Sequence, residues 1–307
     1  MPHENATFPQ TGLAKVPLRA WLLAARPRTL PLSISPILVA SALALRRVNS
    51  IDWVLVVWAL LCALCIQIGT NLINDALDFK KGADREGRLG PVRVTQAGLL
   101  SFRQVFVAGW VCFGAAFVCG IPLIASGGWP FAPLLLLAIA CGYFYTGGPM
   151  PLSYTGISDL FVLVFFGWVS TSALYYLLTG GVDSLCWVAG TQLGCLAMVP
   201  HAVNNLRDHE ADASANKRTL VVRFGVRMAR WKITIISLLP FMISLLWIEA
   251  GAWWAAGLPC LCLPFVLRTV RAIWNTEPSP RYNAFLVSSA LCAFSFGALL
   301  ALGIFLS

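Results

Sequence analysis

The sequence predicts an all-α, polytopic membrane protein with nine transmembrane helices and a cytoplasmic N-terminus. Its 307 residues are 58% hydrophobic and only 11% charged, a composition too apolar for a soluble domain of this length. Nine apolar runs are separated by polar loops, and most of them are long enough to cross a bilayer. The runs lie at 29–46, 52–74, 103–125, 130–147, 156–178, 184–204, 233–249, 252–267 and 284–306.

The distribution of basic residues predicts the orientation of these spans. Nine spans place 20 of the 22 Lys and Arg residues on one side of the membrane, with only Arg46 and Arg47 on the other. Because cytoplasmic loops are enriched in Lys and Arg, the N-terminus and the basic loops are expected in the cytoplasm and the C-terminus outside. The formal charge of +9 therefore reflects membrane topology, and no nucleic-acid partner is expected.

The expected domain organisation is simple. A polar tail over 1–20, which lacks the basic start and apolar core of a cleavable signal, precedes a single transmembrane domain over 21–307. Arg26 and Arg28 lie where the chain reaches the membrane, either as an anchor to anionic lipid or as a phosphate contact. Ser101 and Gln104 form a capping-box pattern that should start the third helix.

Polar side chains at the end of the second apolar run form the first candidate site. Asn71, Asn74, Asp75 and Asp78 recur at i, i+3, i+4 and i+7, which places them on one face of a helix. Acids at a membrane edge are costly and usually line a cavity, a proton relay or a metal site. Two carboxylates beside two amides suit a hard divalent cation, although a solvated helix end would also explain them.

A similar pattern returns about 130 residues later, at the end of the sixth apolar run. A helix over 201–212 would place on one face His201, Asn204 or Asn205, Asp208 and Asp212. Without a gap, N-D-x-x-D of the first motif aligns with N-N-x-x-D of the second. The motif regions 71–98 and 201–219 therefore suggest two repeated halves that oppose each other across one site.

Basic residues follow each acidic motif, an arrangement suited to a metal-bound diphosphate. The candidates for binding phosphate oxygens are Lys81, Arg88 and Arg93 after the first motif, Lys217 and Arg218 after the second, and the Asn71 amide. Between the fourth and fifth runs, the stretch 143–159 has three tyrosines and ends at Asp159. This stretch is expected either to line a pocket for an organic acceptor or to be a Gly/Pro turn with interfacial tyrosines.

Together these residues resemble the UbiA superfamily of intramembrane aromatic prenyltransferases. The resemblance lies in N-D-x-x-D at Asn74 to Asp78 with Asp84 following, in D-x-x-x-D at Asp208 to Asp212, and in Lys217-Arg218-Thr219. Within the superfamily the chain is most similar to the MenA type, the 1,4-dihydroxy-2-naphthoate polyprenyltransferases. That similarity lies in 26–31, 80–84, 90–98, 145–149, 164–168 and 204–208. Ser158 stands where this type is expected to have Gly.

The resemblance implies a helical bundle around a central cavity that opens toward the cytoplasm and sideways into lipid. It also implies an Mg²⁺-dependent enzyme of the bacterial inner membrane that transfers a polyprenyl group from polyprenyl diphosphate to 1,4-dihydroxy-2-naphthoate, with loss of CO2 and diphosphate. The catalytic carboxylates would be Asp75, Asp78, Asp208 and Asp212. The metal-binding set would be Asn74, Asp75, Asp78, Asp84, Asn204, Asp208 and Asp212, and the acceptor-binding set would be Tyr145, Asp159, His201 and Asn205.

Three alternatives stay open at this point. A prenyltransferase of the same family would act on another ring, such as 4-hydroxybenzoate or homogentisate. A CDP-alcohol phosphotransferase also uses acids at a membrane edge, but it keeps them in one long motif. A secondary transporter often has repeated halves and intramembrane acids, yet here the acids lie at one membrane face and are followed by basic residues.

Overall fold

The computed structural model describes residues 18–82 and 89–307, and all regular structure in these two ranges is helical. The helices are α1 Leu18–Ala25, α2 Pro31–Val48, α3 Trp53–Lys80, α4 Phe102–Gly127, α5 Phe131–Phe144, α6 Ser158–Thr179, α7 Ser184–Arg207, α8 His209–Ser214, α9 Leu220–Glu249, α10 Trp253–Trp274 and α11 Tyr282–Leu306. The predicted all-α class is confirmed.

Eight of these helices are long and apolar enough to cross a membrane, and they correspond to eight of the nine predicted spans. The fourth predicted span, 130–147, corresponds to α5, which has only 14 residues. It ends at Phe144 because the chain turns through a Gly-Gly-Pro sequence at 147–149. A straight span needs about 20 residues, so the count of nine and the orientation stay predictions.

Polar side chains set where several helices begin. Asp52 caps α3 by accepting hydrogen bonds from the backbone N–H groups of Val54 and Leu55. The predicted capping box at the start of α4 is confirmed, with Ser101 and Gln104 bonded reciprocally. These caps satisfy N–H groups that the first turn of a helix leaves without intrahelical partners.

The two helices that carry the acidic motifs share a common arrangement. Each motif lies at the C-terminal end of its helix, α3 or α7. The largest buried apolar cluster takes residues from the opposite, N-terminal parts of both, such as Ala59 and Leu193, with Phe296 and Leu300 of α11. The packed core therefore holds one end of the bundle, and the polar residues meet at the other.

Helices α6 and α7 approach each other unusually closely. Helix α6 contains a wider, π-helical segment at Leu163–Val169. A Cβ atom on Gly167 within this segment would lie 2.2 Å from the carbonyl oxygen of Gly190 and 2.9 Å from the Cα of Gly194. Glycine permits this approach, which brings Ser158 and Asp159 at the start of α6 against His201 of α7.

Candidate functional site

A cavity of about 1120 Å³ inside the bundle contains both acidic motifs. Its polar wall includes Asn71, Asn74, Asp75, Asp78, Arg93, Tyr145, His201, Asn204, Asn205, Asp208, Asp212 and Lys217. On α3 the lining runs from Asp78 back to Ala59, about 28 Å of helix at 1.5 Å per residue. The rest of the wall is mainly apolar, with Phe161, Phe165 and Leu174 among the lining residues. The cavity thus joins a polar end to an apolar channel, and the two together are nearly as long as a bilayer core is thick.

The first motif occupies one buried face of α3, as its spacing predicted. Asn71, Asn74, Asp75 and Asp78 are all less than 9% exposed. The Asn71 amide donates a hydrogen bond to the carbonyl oxygen of Ala25 at 3.0 Å, which holds the end of α1 against α3.

Asn74 is the centre of a hydrogen-bond group at this face. Its Oδ1 accepts a bond from the guanidinium of Arg26 at 2.8 Å. Its Nδ2 donates to Asp78 Oδ2 at 3.1 Å and to Thr146 Oγ1 at 2.7 Å. Asn74 thus connects the segment before α2, the first motif and the turn after α5.

The two carboxylates of this motif have different surroundings. Asp75 accepts hydrogen bonds from the backbone N–H groups of Val94 and Thr95, at 3.3 and 3.1 Å, and so holds the segment before α4. Asp78 lies 3.4 Å from the guanidinium of Arg93, which is itself 8% exposed. Asp75 therefore has a structural role that its position in the motif did not reveal.

The second motif differs from the single helical face that the sequence predicted. Helix α7 ends at Arg207, and Asp208, with φ −95° and ψ 10°, joins it to the short helix α8 that carries Asp212. The chain bends there, so the prediction of one continuous helical face is wrong. His201, Asn204, Asp208 and Asp212 nevertheless all line the cavity.

A buried arginine organises the end of α7. Arg207 is 1% exposed and donates hydrogen bonds to both carboxylate oxygens of Asp208, at 2.7 and 2.6 Å. It also donates to Asn204 Oδ1 and to Asn283 Oδ1, each at 2.7 Å. Because guanidinium donors form a rigid fork, this arrangement fixes the second motif relative to α11.

Two lysines approach the polar end of the cavity around one aromatic ring. The ammonium groups of Lys81 and Lys217 lie 5.0 and 4.9 Å from the centre of the Tyr154 ring. Lys217 also lies 3.3 Å from Asp212. Burial lowers the pKa of the Lys81 ammonium and raises the pKa of the Asp212 carboxyl, with Lys217 opposing the latter shift.

The oxygen donors of both motifs fit a hard divalent cation in kind, because carboxylates and amide oxygens are its preferred ligands. Within the two described ranges, however, no three Asp, Glu, His or Cys side chains converge into one metal-binding group. The carboxylates of Asp78, Asp208 and Asp212 contact Arg93, Arg207 and Lys217 instead. The protein would therefore supply only one or two carboxylate ligands to a bound cation, and not a complete coordination sphere.

The predicted acceptor residues lie together beside the second motif. His201 Nδ1 is 3.1 Å from the Tyr145 hydroxyl, and Nε2 is 3.0 Å from Ser158 Oγ and 3.2 Å from Asn205 Nδ2. Tyr145, His201 and Asn205 line the cavity. Asp159 is behind His201 and outside the lining, paired with Lys232.

Three other predicted residues are not brought into the site. Arg218 is exposed and is absent from the cavity lining. Asp84 and Arg88 lie outside the described residues. Their predicted roles in metal and diphosphate binding stay predictions.

Several site residues were missed at the sequence level. Arg207 and Lys232 belong to charged stretches that resemble solvated loops, and the sequence signals for Arg207 are its position beside Asp208 and its place in the resembling stretch 204–208. Thr146 lies in the resembling stretch 145–149 but had no predicted role, and Asn283 belongs to no motif; both reach the site from segments far along the chain. Arg26 was open between an anchor and a phosphate contact, and it binds Asn74.

Comparison with known proteins gives concordant matches. The sequence profile of the UbiA prenyltransferase family matches residues 33–290. A 1,4-dihydroxy-2-naphthoate octaprenyltransferase of Haemophilus influenzae is 31% identical over 295 residues, which is 94% of this chain and 96% of the relative. The protein of the same name from Escherichia coli is 32% identical over 298 residues, with the same coverage of 94% and 96%.

A solved structure shares the fold. The UbiA homolog from Archaeoglobus fulgidus bound to DMAPP and Mg²⁺ superimposes with a TM-score of 0.57. The match covers 92% of this chain and 99% of that structure at 15% sequence identity.

Proposed function

The chain belongs to the UbiA prenyltransferase family, and we propose that it transfers a polyprenyl group from polyprenyl diphosphate to 1,4-dihydroxy-2-naphthoate. The products would be CO2, diphosphate and demethylmenaquinol, a step of menaquinone biosynthesis. The named acceptor follows the bacterial relatives, which are naphthoate octaprenyltransferases.

The observation that carries this proposal is the shape and chemistry of one cavity. Two acid–amide motifs and their basic neighbours lie at its polar end, and a long apolar channel continues from them. A polyprenyl diphosphate has the matching form, a dianionic or trianionic head on a long apolar tail. A transporter would not need this asymmetry.

Mg²⁺ is the cation that these residues suit. It is usually bound through one or two carboxylates together with substrate phosphates, which agrees with the divided carboxylates of this site. Asn74, Asp75 and Asp78 on one side, and Asn204, Asp208 and Asp212 on the other, would hold it, with Asp84 as a further ligand. When bound, the cation would neutralise charge that develops on the departing diphosphate.

The chain's own cations would stabilise the same leaving group. Lys81, Lys217 and Arg93 are placed around the acidic motifs, where their ammonium and guanidinium groups can donate to phosphate oxygens. As the carbon–oxygen bond of the allylic diphosphate breaks, negative charge accumulates on those oxygens, and donors already in place stabilise that charge.

The acceptor ring would bind beside His201, where Tyr145 and Asn205 also face the cavity. Its electron-rich carbon attacks the allylic cation, and loss of the carboxylate from that carbon as CO2 restores aromaticity. The apolar walls keep out water, which would otherwise capture the cation.

We place the site at the cytoplasmic face of the inner membrane. This orientation rests on the 20 of 22 basic residues that a nine-span topology puts on the side of both motifs.

The experiment is an assay of the purified protein in detergent with Mg²⁺, a polyprenyl diphosphate and 1,4-dihydroxy-2-naphthoate. Product mass and CO2 release would be recorded with and without a chelator. Chelator-sensitive formation of a prenylated, decarboxylated product is expected. Prenylation of 4-hydroxybenzoate or homogentisate alone would overturn the acceptor, and no product with any ring would overturn the proposed activity.

A further inference from the structure

A buried ion pair lies directly behind the group of residues around His201. Lys232 of α9 donates to Asp159 Oδ2 of α6 at 2.8 Å, and their side chains are only 16% and 10% exposed. Neither residue lines the cavity. Burying two charges is costly and often adds no stability over apolar residues, so this pair needs an explanation other than stability.

Asp159 uses only one of its two oxygens for the ion pair. Within the described part of the chain, Oδ1 is buried and has no hydrogen-bond partner. It lies 3.9 Å from His201 Nε2. An unsatisfied buried carboxylate oxygen is costly, and a second proton on the imidazole would give it a charged neighbour.

His201 is the residue that links this pair to the cavity. Its Nδ1 faces the Tyr145 hydroxyl and its Nε2 faces the hydroxyl of Ser158. Both His201 and Tyr145 line the cavity. The imidazole ring therefore lies between this ion pair and the binding site, and the Asp159 charge also acts on the Tyr145 hydroxyl.

We propose that Asp159 and Lys232 are positioning residues that together set how readily His201 accepts a proton from the aromatic acceptor. This role rests on the proposed function, since it needs an acceptor with an ionisable ring hydroxyl. Asp159 favours the imidazolium and Lys232 disfavours it, so the two charges oppose each other at the His201 ring.

The proton step has a defined route. In the neutral ring with hydrogen on Nε2, Ser158 Oγ accepts, the Asn205 amide presents its oxygen to Nε2 instead of its nitrogen, and Nδ1 is the free base. The acceptor hydroxyl gives its proton to the Tyr145 oxygen while Tyr145 gives its own to Nδ1. The acceptor's O–H bond breaks and an N–H bond forms, which leaves a phenolate on the ring and an imidazolium on His201.

Other charges act on this route less directly. The charged groups that act on the His201 ring are Asp159 from α6 and Lys232 from α9. Asp159 also acts on Tyr145, together with Asp78, Arg26 and Asp212. Asp78, Arg26 and Asp212 are unchanged in the variants below and affect every pH profile equally, whereas loss of the Asp159 charge acts on Tyr145 as well as on His201.

The first test measures kcat/KM for the naphthoate against pH at saturating polyprenyl diphosphate and Mg²⁺. Asp159→Asn should move the acidic limb of the profile to lower pH by about one unit, because the favourable anion is lost. Lys232→Met should move it to higher pH by a similar amount, because Asp159 then faces His201 alone. The double variant, which has neither charge, should lie between the two.

Arg230→Met is the matched control. Arg230 lies two residues before Lys232 on the same helix and forms its own ion pair with Glu277 at 3.2 Å. The acidic limb of the pH profile of Arg230→Met should lie at the same pH as that of the wild-type protein. Uniformly reduced activity in the Asp159 and Lys232 variants, with an unshifted limb, would overturn the proposal and leave the pair a structural role.

A second measurement is independent of turnover. The chain has three histidines, so protein labelled with ¹⁵N-histidine should give three sets of ring signals, which His3→Gln and His209→Gln assign. The titration midpoint of His201 should move in opposite directions in Asp159→Asn and Lys232→Met, by about one pH unit each. If these shifts occur but no naphthoate is prenylated, the proposed function fails and the electrostatic coupling stands; an unmoved midpoint overturns the coupling itself.

Discussion

Arg207 illustrates how single residues hold this site together. It is fully buried at the end of α7, and it bonds both oxygens of Asp208 and the amides of Asn204 and Asn283. The Arg207 guanidinium is tolerated in this buried position because each of its three nitrogens donates to at least one of these four oxygen atoms. The second motif is therefore preorganised before any substrate enters.

Replacing this arginine should cost stability as well as activity. Arg207→Met leaves the Asp208 carboxylate buried without its cation, which should lower the free energy of unfolding by about 3 kcal/mol. The midpoint of thermal unfolding in detergent measures this. Arg227→Met removes an exposed arginine of α9 and should leave the midpoint unchanged; equal midpoints in the two variants would contradict the structural role of Arg207.

Asp75 and Asp78 should respond differently to the same substitution. Asp78→Asn should lower turnover about 100-fold through loss of charge at the proposed metal site, while hydrogen exchange of the Val94 and Thr95 amides stays slow. Asp75→Asn should speed exchange of those two amides, since its carboxylate is their acceptor. Slow exchange in Asp75→Asn would show that the segment is held by other contacts.

At the scale of helices, the glycine contact between α6 and α7 determines the position of the residues around His201. The π-helical segment of α6 turns Gly167 toward Gly190 and Gly194 of α7. Such wide segments are frequent at functional sites. Here the segment lies one turn beyond Asp159, so a change in helix spacing would separate Asp159 from His201.

A single methyl group should test this packing. Gly167→Ala places a Cβ against the α7 backbone, where no side chain can move aside, and should cost about 2 kcal/mol of stability. Gly114→Ala is the control, since nothing lies within 4 Å of its added Cβ and alanine favours a helix. The midpoint of thermal unfolding of both variants tests this prediction. An unchanged midpoint in Gly167→Ala would mean that α6 and α7 can move apart at little cost in stability.

Helix existence could be read from the sequence, whereas helix ends often could not. Apolar runs long enough to span a bilayer predicted eight helices that the structure contains. The seventh apolar run was predicted at 233–249, but α9 begins earlier, at Leu220. The additional residues form a charged amphipathic stretch, and the helix is interrupted within it at Gly225, where φ is +84°. Because these residues are charged, hydropathy alone does not predict that the helix includes them.

At the scale of the whole molecule, local sequence patterns predicted which residue types form the site, whereas its geometry depends on contacts between residues far apart in the sequence. The spacing of Asn71, Asn74, Asp75 and Asp78 predicted one buried face because a helix repeats locally. The hydrogen bond between Arg207 and Asn283 joins residues that are 76 positions apart in the sequence, so no local sequence pattern predicts it. The predicted duplication of the two halves stays a prediction, as do the roles of Asp84 and Arg88.

The length of the cavity leads to a prediction about the whole bundle. If the prenyl tail follows the apolar channel, a bulky residue far from the acidic motifs should exclude long tails and spare short ones. Ala173 of α6 lines the channel and lies 14 residues beyond Asp159, about 20 Å along the helix. Ala173→Phe should lower kcat/KM for an eight-unit diphosphate at least tenfold more than for geranyl diphosphate, because the long tail loses apolar contact worth more than 1.4 kcal/mol.

The comparison of the two diphosphates needs a control variant in which the same bulky side chain is added outside the channel. Ala115→Phe adds the same side chain to an exposed position of α4 outside the cavity lining, and it should affect both diphosphates equally. Equal losses for both tails in Ala173→Phe would place the long tail elsewhere, through a lateral opening nearer the acidic motifs. A selective loss would show that the long tail passes Ala173, in the channel between the polar end and the packed core.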